Sequence, residues 1–270
     1  MAIFNRGISN QQFITALNND LYWQRLIADT DLFAAIRLDK VHVYHYGQRL
    51  CEIRLVRGAL KWESHKRYLG IDEVGYMDIT NQLERLDEIK ENTKTRIGKE
   101  KQNIKRQVLD NADYCVLDIE IAFGQDVIDG NPRLDFVNIE KARNEKMKLV
   151  FYEAKQADNP NLESNGTPKV FIQMAKYEHA LKNHLRQAEI LRSYETVYKN
   201  VMELNLNNKD QLVQMIGENF DHVEIDPFPR LIIFDVDEET KNNKHISRLK
   251  SHFGEERALL IEKNNTITTI

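Results

Sequence analysis

Apolar and polar positions along this chain change period several times, and each change marks a new element. Between residues 10 and 28, Phe13, Leu17 and Leu21 recur at the spacing of one helix face and predict a short helix. From residue 32 to 62 the text shifts to short apolar or alternating runs, FAAIRL, VHVYHY, CEIRLV and ALKWE, separated by Asp39-Lys40, Gly47 and Gly58. That punctuation predicts an antiparallel meander. Residues 81–111 return to helical spacing, with Leu83, Leu86, Ile89, Ile97, Ile104 and Val108 as an interrupted apolar stripe in a highly charged background.

Three strand-like segments follow: YCVLDIEIAF at residues 114–123, then residues 134–139, then residues 149–155. Thr167-Pro168 has the form of a helix start, with Thr as N-cap and Pro at the first helical position, and it opens one long helix, KVFIQMAKYEHALKNHLRQAEILRSYETVYKNV. Beyond that helix, RLIIFDV reads as a buried strand, followed by a helix to about His252 and a last strand, ALLIEK. The order helix, three strands, helix, strand over residues 81–236 predicts an α/β fold with a mixed central sheet flanked by helices. The expected organisation is residues 1–80 as an N-terminal helix plus antiparallel β-meander, and residues 81–270 as an α/β domain.

Composition narrows the class. With 270 residues, 41% of them hydrophobic, the chain can bury a full core. No apolar run approaches the length of a membrane span and the first residues lack a secretory pattern, so a cytoplasmic protein is expected. Cys51 and Cys115 are far apart and without metal-ligand spacing, which agrees with a reducing compartment. The net charge of −4 is not that of a protein that coats nucleic acid by bulk electrostatics. A local basic patch suffices for a transiently held substrate.

The chemistry concentrates where charge enters apolar strands. Leu149, Val150, Phe151 and Tyr152 have the composition of a strand covered on both faces, yet Glu153 and Lys155 continue it, two apart and so on one face. Asp135 enters the preceding strand in the same way, and the polar segment 140–146 between them suggests a hairpin. If these strands pair, Asp135 and Glu153 can sit on neighbours roughly 4.8 Å apart, where two bare carboxylates repel. A divalent cation between them removes the repulsion, and hard oxygen donors suit Mg2+ or Mn2+. Glu-x-Lys also occurs at Glu88 and Glu239, but in polar surroundings; only Glu153-Ala-Lys155 ends an apolar strand. On the following helix Gln173 and Tyr177 are four apart and share a face.

Asp135, then Glu153-x-Lys155, then Gln173-x-x-x-Tyr177 on the next helix resembles the PD-(D/E)xK nuclease superfamily, specifically its RecB-type branch. The resemblance covers residues 133–177. It implies a restriction-endonuclease-like fold and a metal-dependent nuclease that hydrolyses phosphodiester bonds, with DNA as the expected partner. It implies further that Asp135 and Glu153 bind metal, that Lys155 assists the attacking water, and that Gln173 and Tyr177 orient the site and the nucleic acid. Leu134 stands where the family has Pro. In relatives an acidic residue from the first core element completes the metal site; Glu120 is the candidate here, with Asp118 and Glu88 as alternatives. A catalytically silent member of the same fold, binding nucleic acid or a protein partner, is the rival reading.

Other features carry less. His42 and His45 are expected to pack on the sheet surface, because on a strand they point to opposite faces. His179 and His184 have the wrong spacing for two ligands on one face. The basic residues Lys90, Lys94, Arg96, Lys99, Lys101, Lys105 and Arg106 make a dense stretch interleaved with glutamates, read as a solvated helix face. The polar linker 156–166 leaves directly from Lys155, with Asn159-Pro160 and Asn165-Gly166 as turn signals. No Gly-rich phosphate loop or Cys-Cys zinc pattern is present.

Overall fold

The computed structural model describes residues 4–123, 133–142, 146–163, 166–217, 219–254, 256–263 and 267–268. The chain begins with helices α1 (Gln11–Asn18) and α2 (Leu21–Ile27), then strands β1 (Leu32–Arg37), β2 (Lys40–His45), β3 (Gln48–Val56), β4 (Ala59–His65) and β5 (Tyr76–Asp78). Helices α3 (Leu86–Lys94) and α4 (Lys99–Ile104) lead through a π-helical turn at Lys105–Leu109 to β6 (Cys115–Ala122), β7 (Arg133–Lys141) and β8 (Met147–Gln156). Helices α5 (Lys169–Lys182), α6 (His184–Glu203) and α7 (Lys209–Ile216) precede β9 (Val223–Ile225) and β10 (Arg230–Val236). Helices α8 (Glu238–Lys241) and α9 (Lys244–Phe253) precede β11 (Ala258–Glu262) and β12 (Ile267–Thr268).

Two compact units emerge: Asn5–Gln102 with Arg192–Phe220, and Met1–Phe4 with Asn103–Leu191 and Asp221–Ile270. The sequence reading set the boundary at 80/81. In the first unit the meander is an antiparallel sheet in the order β1-β2-β3-β4-β5, which adds a strand the alternation did not signal. Its core includes Phe13, Leu17, Trp23, Val41, Ile53 and Trp62. The register aligns His42 with Glu52, Glu52 with Glu63 and Glu63 with Asp78, and sets Lys40, Arg54 and Lys61 in the row beside them. Residues two apart share a face, so the acids and bases pair across strands. Lys40 reaches Glu52 at 3.1 Å, and Arg54 and Lys61 reach Glu63 at 2.7 and 2.9 Å.

His42 and His45 do not pack on the surface as expected. Both are buried, His45 completely. His42 Nε2 lies 2.8 Å from Glu52 and Nδ1 lies 3.3 Å from the Tyr44 hydroxyl. His45 Nδ1 lies 2.5 Å from Thr93 Oγ1, whose own proton goes to the Lys90 carbonyl, so the imidazole donates. Polar side chains can be buried at these positions because each meets a hydrogen-bonding partner.

The helices are more broken than their periodicity suggested. Asn19-Asp20 interrupts residues 10–28, and Asp20 caps α2 by accepting from Trp23 N at 2.8 Å. Residues 81–111 divide between α3 and α4, with Gly98 at the break. The long helix after Pro168 stops at Lys182: Asn183 is extended, and its side chain accepts from Leu185 N and Arg186 N to start α6. Pro168 itself has ψ 138 and holds the N-cap position, one residue later than expected. The breaks at Asp20 and Asn183 fall where a short polar side chain captures backbone N–H groups.

In the second unit the sheet runs β12-β11-β10-β8-β7-β6, with β9 pairing β8. β6, β7 and β8 are antiparallel neighbours, while β10 is parallel to both β8 and β11. The sheet is mixed and helices flank it, as the element order implied. β8 is hydrogen-bonded on both sides, and its residues from Leu149 to Gln156 are all buried. Among the described residues no helix is long and apolar enough to cross a membrane. Both thiols are buried, which pushes their pKa values up, Cys115 to about 12.

Candidate functional site

The second unit brings Asp135, Glu153, Lys155, Gln173 and Tyr177 together. The register of β7 and β8 pairs Phe136 with Tyr152, and one step further sets Asp135 level with Glu153. Asp135 and Glu153 are 8% and 2% exposed. Carboxylates are so rarely buried this far that each must be held by specific partners. Asp135 Oδ2 accepts from the Ala154 amide at 2.8 Å. Glu153 Oε1 accepts from Lys155 Nζ and, at 2.8 Å, from Gln173 Nε2.

Lys155 is 7% exposed and bonds the Ala154 carbonyl at 2.9 Å as well as Glu153. Ala154 therefore holds Asp135 of β7 with its amide and Lys155 of its own strand with its carbonyl, a role its identity could not announce. Gln173 also meets the Tyr177 hydroxyl at 3.0 Å, the contact expected of residues one helical turn apart. Tyr177 is completely buried rather than half-buried as an ordinary amphipathic helix would leave it. Burial, reinforced by the Glu153 charge, pushes its phenol pKa well up, so the hydroxyl keeps its proton at neutral pH.

The third acidic candidate occupies an unusual backbone position. Ile119 pairs with Phe136 and Ile121 with Leu134, which sets Glu120 level with Asp135 across β6 and β7. Glu120 has φ +53, a left-handed conformation inside a strand, and Arg133 lies 3.7 Å from its carboxylate. A non-glycine residue there costs energy and marks a position fixed by its surroundings. Asp118 is buried and accepts from the Ile119 amide at 2.8 Å. A bulge between Val116 and Asp118 and the turned backbone at Glu120 interrupt the regular pleat of β6. Glu88 belongs to the other unit, where it is exposed and pairs with Arg85.

Among the described residues no group of three or more His, Cys, Asp or Glu side chains is placed to hold a metal ion. Mg2+ needs only one or two protein carboxylates and keeps waters for the rest, so the buried pair Asp135 and Glu153 fits such an ion by donor chemistry.

In the basic stretch from 90 to 106, Lys90 pairs with Asp29 and Asp31 at 2.6 and 3.0 Å, Lys94 with Glu91 at 2.7 Å, and buried Lys105 of the π-helical turn with Asp110. His179 and His184 are exposed and on different helices. In the linker, Asn159 N bonds the Gln156 carbonyl and Leu162 N bonds Asn159 in successive turns; Asn165 of the second turn signal lies outside the described residues. No family model, no curated protein and no solved structure matches this chain.

Proposed function

We propose that this chain is a divalent-metal-dependent nuclease that hydrolyses phosphodiester bonds, in DNA, on a restriction-endonuclease-like scaffold. The observation that carries this reading is the buried Glu153 carboxylate, which Lys155 holds from its own strand and Gln173 holds from α5. Burying an acid and a base together is costly, and a strand with apolar neighbours has no structural need of it.

Asp135 and Glu153 would hold Mg2+ or Mn2+, with Glu120 beside Asp135 as the further ligand candidate. When bound, such an ion polarises a phosphoryl oxygen and lowers the pKa of a coordinated water. Lys155 Nζ supplies a positive charge and a proton position beside Glu153. Gln173 fixes the Glu153 rotamer, and Tyr177 keeps a neutral hydroxyl at the end of that hydrogen-bond chain. The burial of Asp135, Glu153, Lys155 and Tyr177 excludes bulk water and strengthens each interaction.

Incubating the protein with labelled single- and double-stranded DNA in Mg2+ or Mn2+ tests the reading. Cleavage that EDTA abolishes and Glu153→Gln removes supports it. Retained binding with no cleavage under either metal supports the rival, a silent nucleic-acid-binding member of the fold.

A further inference from the structure

Helix α9, KHISRLKSHF, carries Lys244, Arg248 and Lys250 and no acidic residue, in a chain whose net charge is −4. Lys244, Arg248 and His252 are exposed and recur every fourth residue, so they form one stripe along the helix, about 12 Å long at the α-helical rise. Among the described residues neither Lys244 nor Lys250 forms an ion pair, in contrast to the paired lysines of α3.

The stripe ends on a built aromatic feature. The His252 ring lies flat on Phe171 of α5, with centroids 3.9 Å apart and planes within 8°. Phe253 packs edge-on against both rings, at 4.8 Å from His252 and 5.2 Å from Phe171. Phe171 is buried while His252 is exposed, so a ring that solvent reaches is supported from beneath and from the side. Arg248, one turn back, stands 5.8 Å from the Phe171 ring centroid. Phe171 is two residues before Gln173 on α5 and so on the opposite side of that helix, while Lys169 and Lys176 flank Gln173 on its own helix face.

We propose that His252 on Phe171 is a stacking platform for an unpaired base, and that Lys244 and Arg248 track the phosphates of that single strand. The proposal rests on the nuclease reading, because it gives that enzyme's substrate a surface for an unpaired strand, but its test needs no cleavage. A supported aromatic ring beside a row of cations is the combination that single-strand binding uses: stacking is indifferent to base identity, and phosphates meet the charge. A duplex keeps its bases stacked internally and offers the platform nothing.

The test is fluorescence anisotropy of a labelled oligothymidylate with the full chain in EDTA. The parent should bind it more tightly than a duplex of equal length. His252→Ala should weaken binding on the order of 5- to 150-fold, the range of one lost base stack, while His252→Phe retains it. Lys244→Ala with Arg248→Ala should lower the log–log salt slope by about 1.4, from about 0.7 per phosphate contact. These residues are exposed, and unchanged thermal melting shows that each variant folds.

The proposal is overturned if His252→Ala binds like the parent, if the duplex binds better, or if the parent binds no oligonucleotide but does bind vesicles of anionic lipid. A parent that binds as described yet cleaves nothing in Mg2+ or Mn2+ leaves the platform standing and removes the nuclease reading.

Discussion

Gln173 on α5 donates to Glu153 on β8 at 2.8 Å, so a helix side chain fixes the rotamer of a carboxylate that its own strand would leave to Lys155 alone. Gln173→Leu removes this hydrogen bond without changing charge. Bonds to ionised groups contribute about 1.5–3 kcal/mol, so cleavage should fall roughly 10- to 150-fold while metal affinity changes little. Tyr177→Phe, which deletes only the next link, should be milder. Cleavage rates beside calorimetric metal titration check both; equal losses in rate and metal affinity would assign Gln173 to the ion rather than to positioning.

Asp135 and Glu153 should behave alike and differently from Gln173. Asp135→Asn and Glu153→Gln each delete an anionic oxygen that a reluctantly dehydrating cation needs, so binding of Mg2+ or Mn2+ and cleavage should disappear together. Calorimetry on either variant decides it. Parent-like metal binding by Asp135→Asn would show that the ion sits elsewhere.

The sequence announced this cluster because charge in an apolar strand is visible as text. Asp135, Glu153 and Lys155 break runs of branched and aromatic residues, and Gln173 and Tyr177 share a face by spacing alone. What the text hid was backbone. The left-handed turn at Glu120 and the bulge before Asp118 leave no periodic trace, since a pleat is interrupted without any change of residue type. The same holds for helix ends: Asn183 looks like one more polar helix position until its side chain is seen capping α6. His42 and His45 were misread because alternation predicts face and says nothing of what covers it.

Those two histidines make the first unit acid-sensitive. Burial pulls both imidazoles from an ordinary value of 6.5 down to about 4, against the Glu52 hydrogen bond in the case of His42. The unfolded chain then takes up protons first. Stability is full above about 6.5, falls as pH drops toward 4, and levels off below it; each histidine accounts for up to about 3 kcal/mol, at about 1.4 per unit. The His42 hydrogen bond holds Glu52 down to about 2 from 4.5, so its contribution is present above 4.5 and lost toward pH 2. Urea midpoints should therefore hold from pH 7.5 to about 6.5 and decline from there to 4.5, and His42→Gln should flatten that slope. A pH-independent midpoint in the parent would contradict both burials.

Gly7 should tolerate no side chain. Its φ is +110, and an added Cβ would lie 2.4 Å from Thr196 Cγ2, within the same unit. Gly7→Ala combines backbone strain with a clash against a helix, and the cost should be about 2–4 kcal/mol, a drop of roughly 5–15 °C in Tm. Thr196→Ala in the same chain removes the methyl but not the strain, so it should recover only part. Scanning calorimetry of the single and double variants measures the division.

Lys155 separates structure from chemistry, because it partners Glu153 in a buried pair while the proposed nuclease would use it as a general acid or base. Removing one member of a buried pair leaves an uncompensated charge, at about 3–5 kcal/mol, so Lys155→Ala should lower the Tm of the metal-free protein. The same charge, now lacking its cation, should bind Mn2+ at least as well as the parent, and adding the metal should restore more Tm to the variant than to the parent. The chemical step should still slow by about 10²- to 10⁴-fold, as for a lost general acid or base. Lys155→Met, which keeps the stem and removes the charge, should repeat the pattern with less loss of packing. Melting curves with and without Mn2+, beside single-turnover cleavage, give the result: a Lys155→Ala protein that cleaves like the parent would end the assignment of Lys155 to the chemistry, and one that loses metal binding would place its ammonium in the ion's support instead.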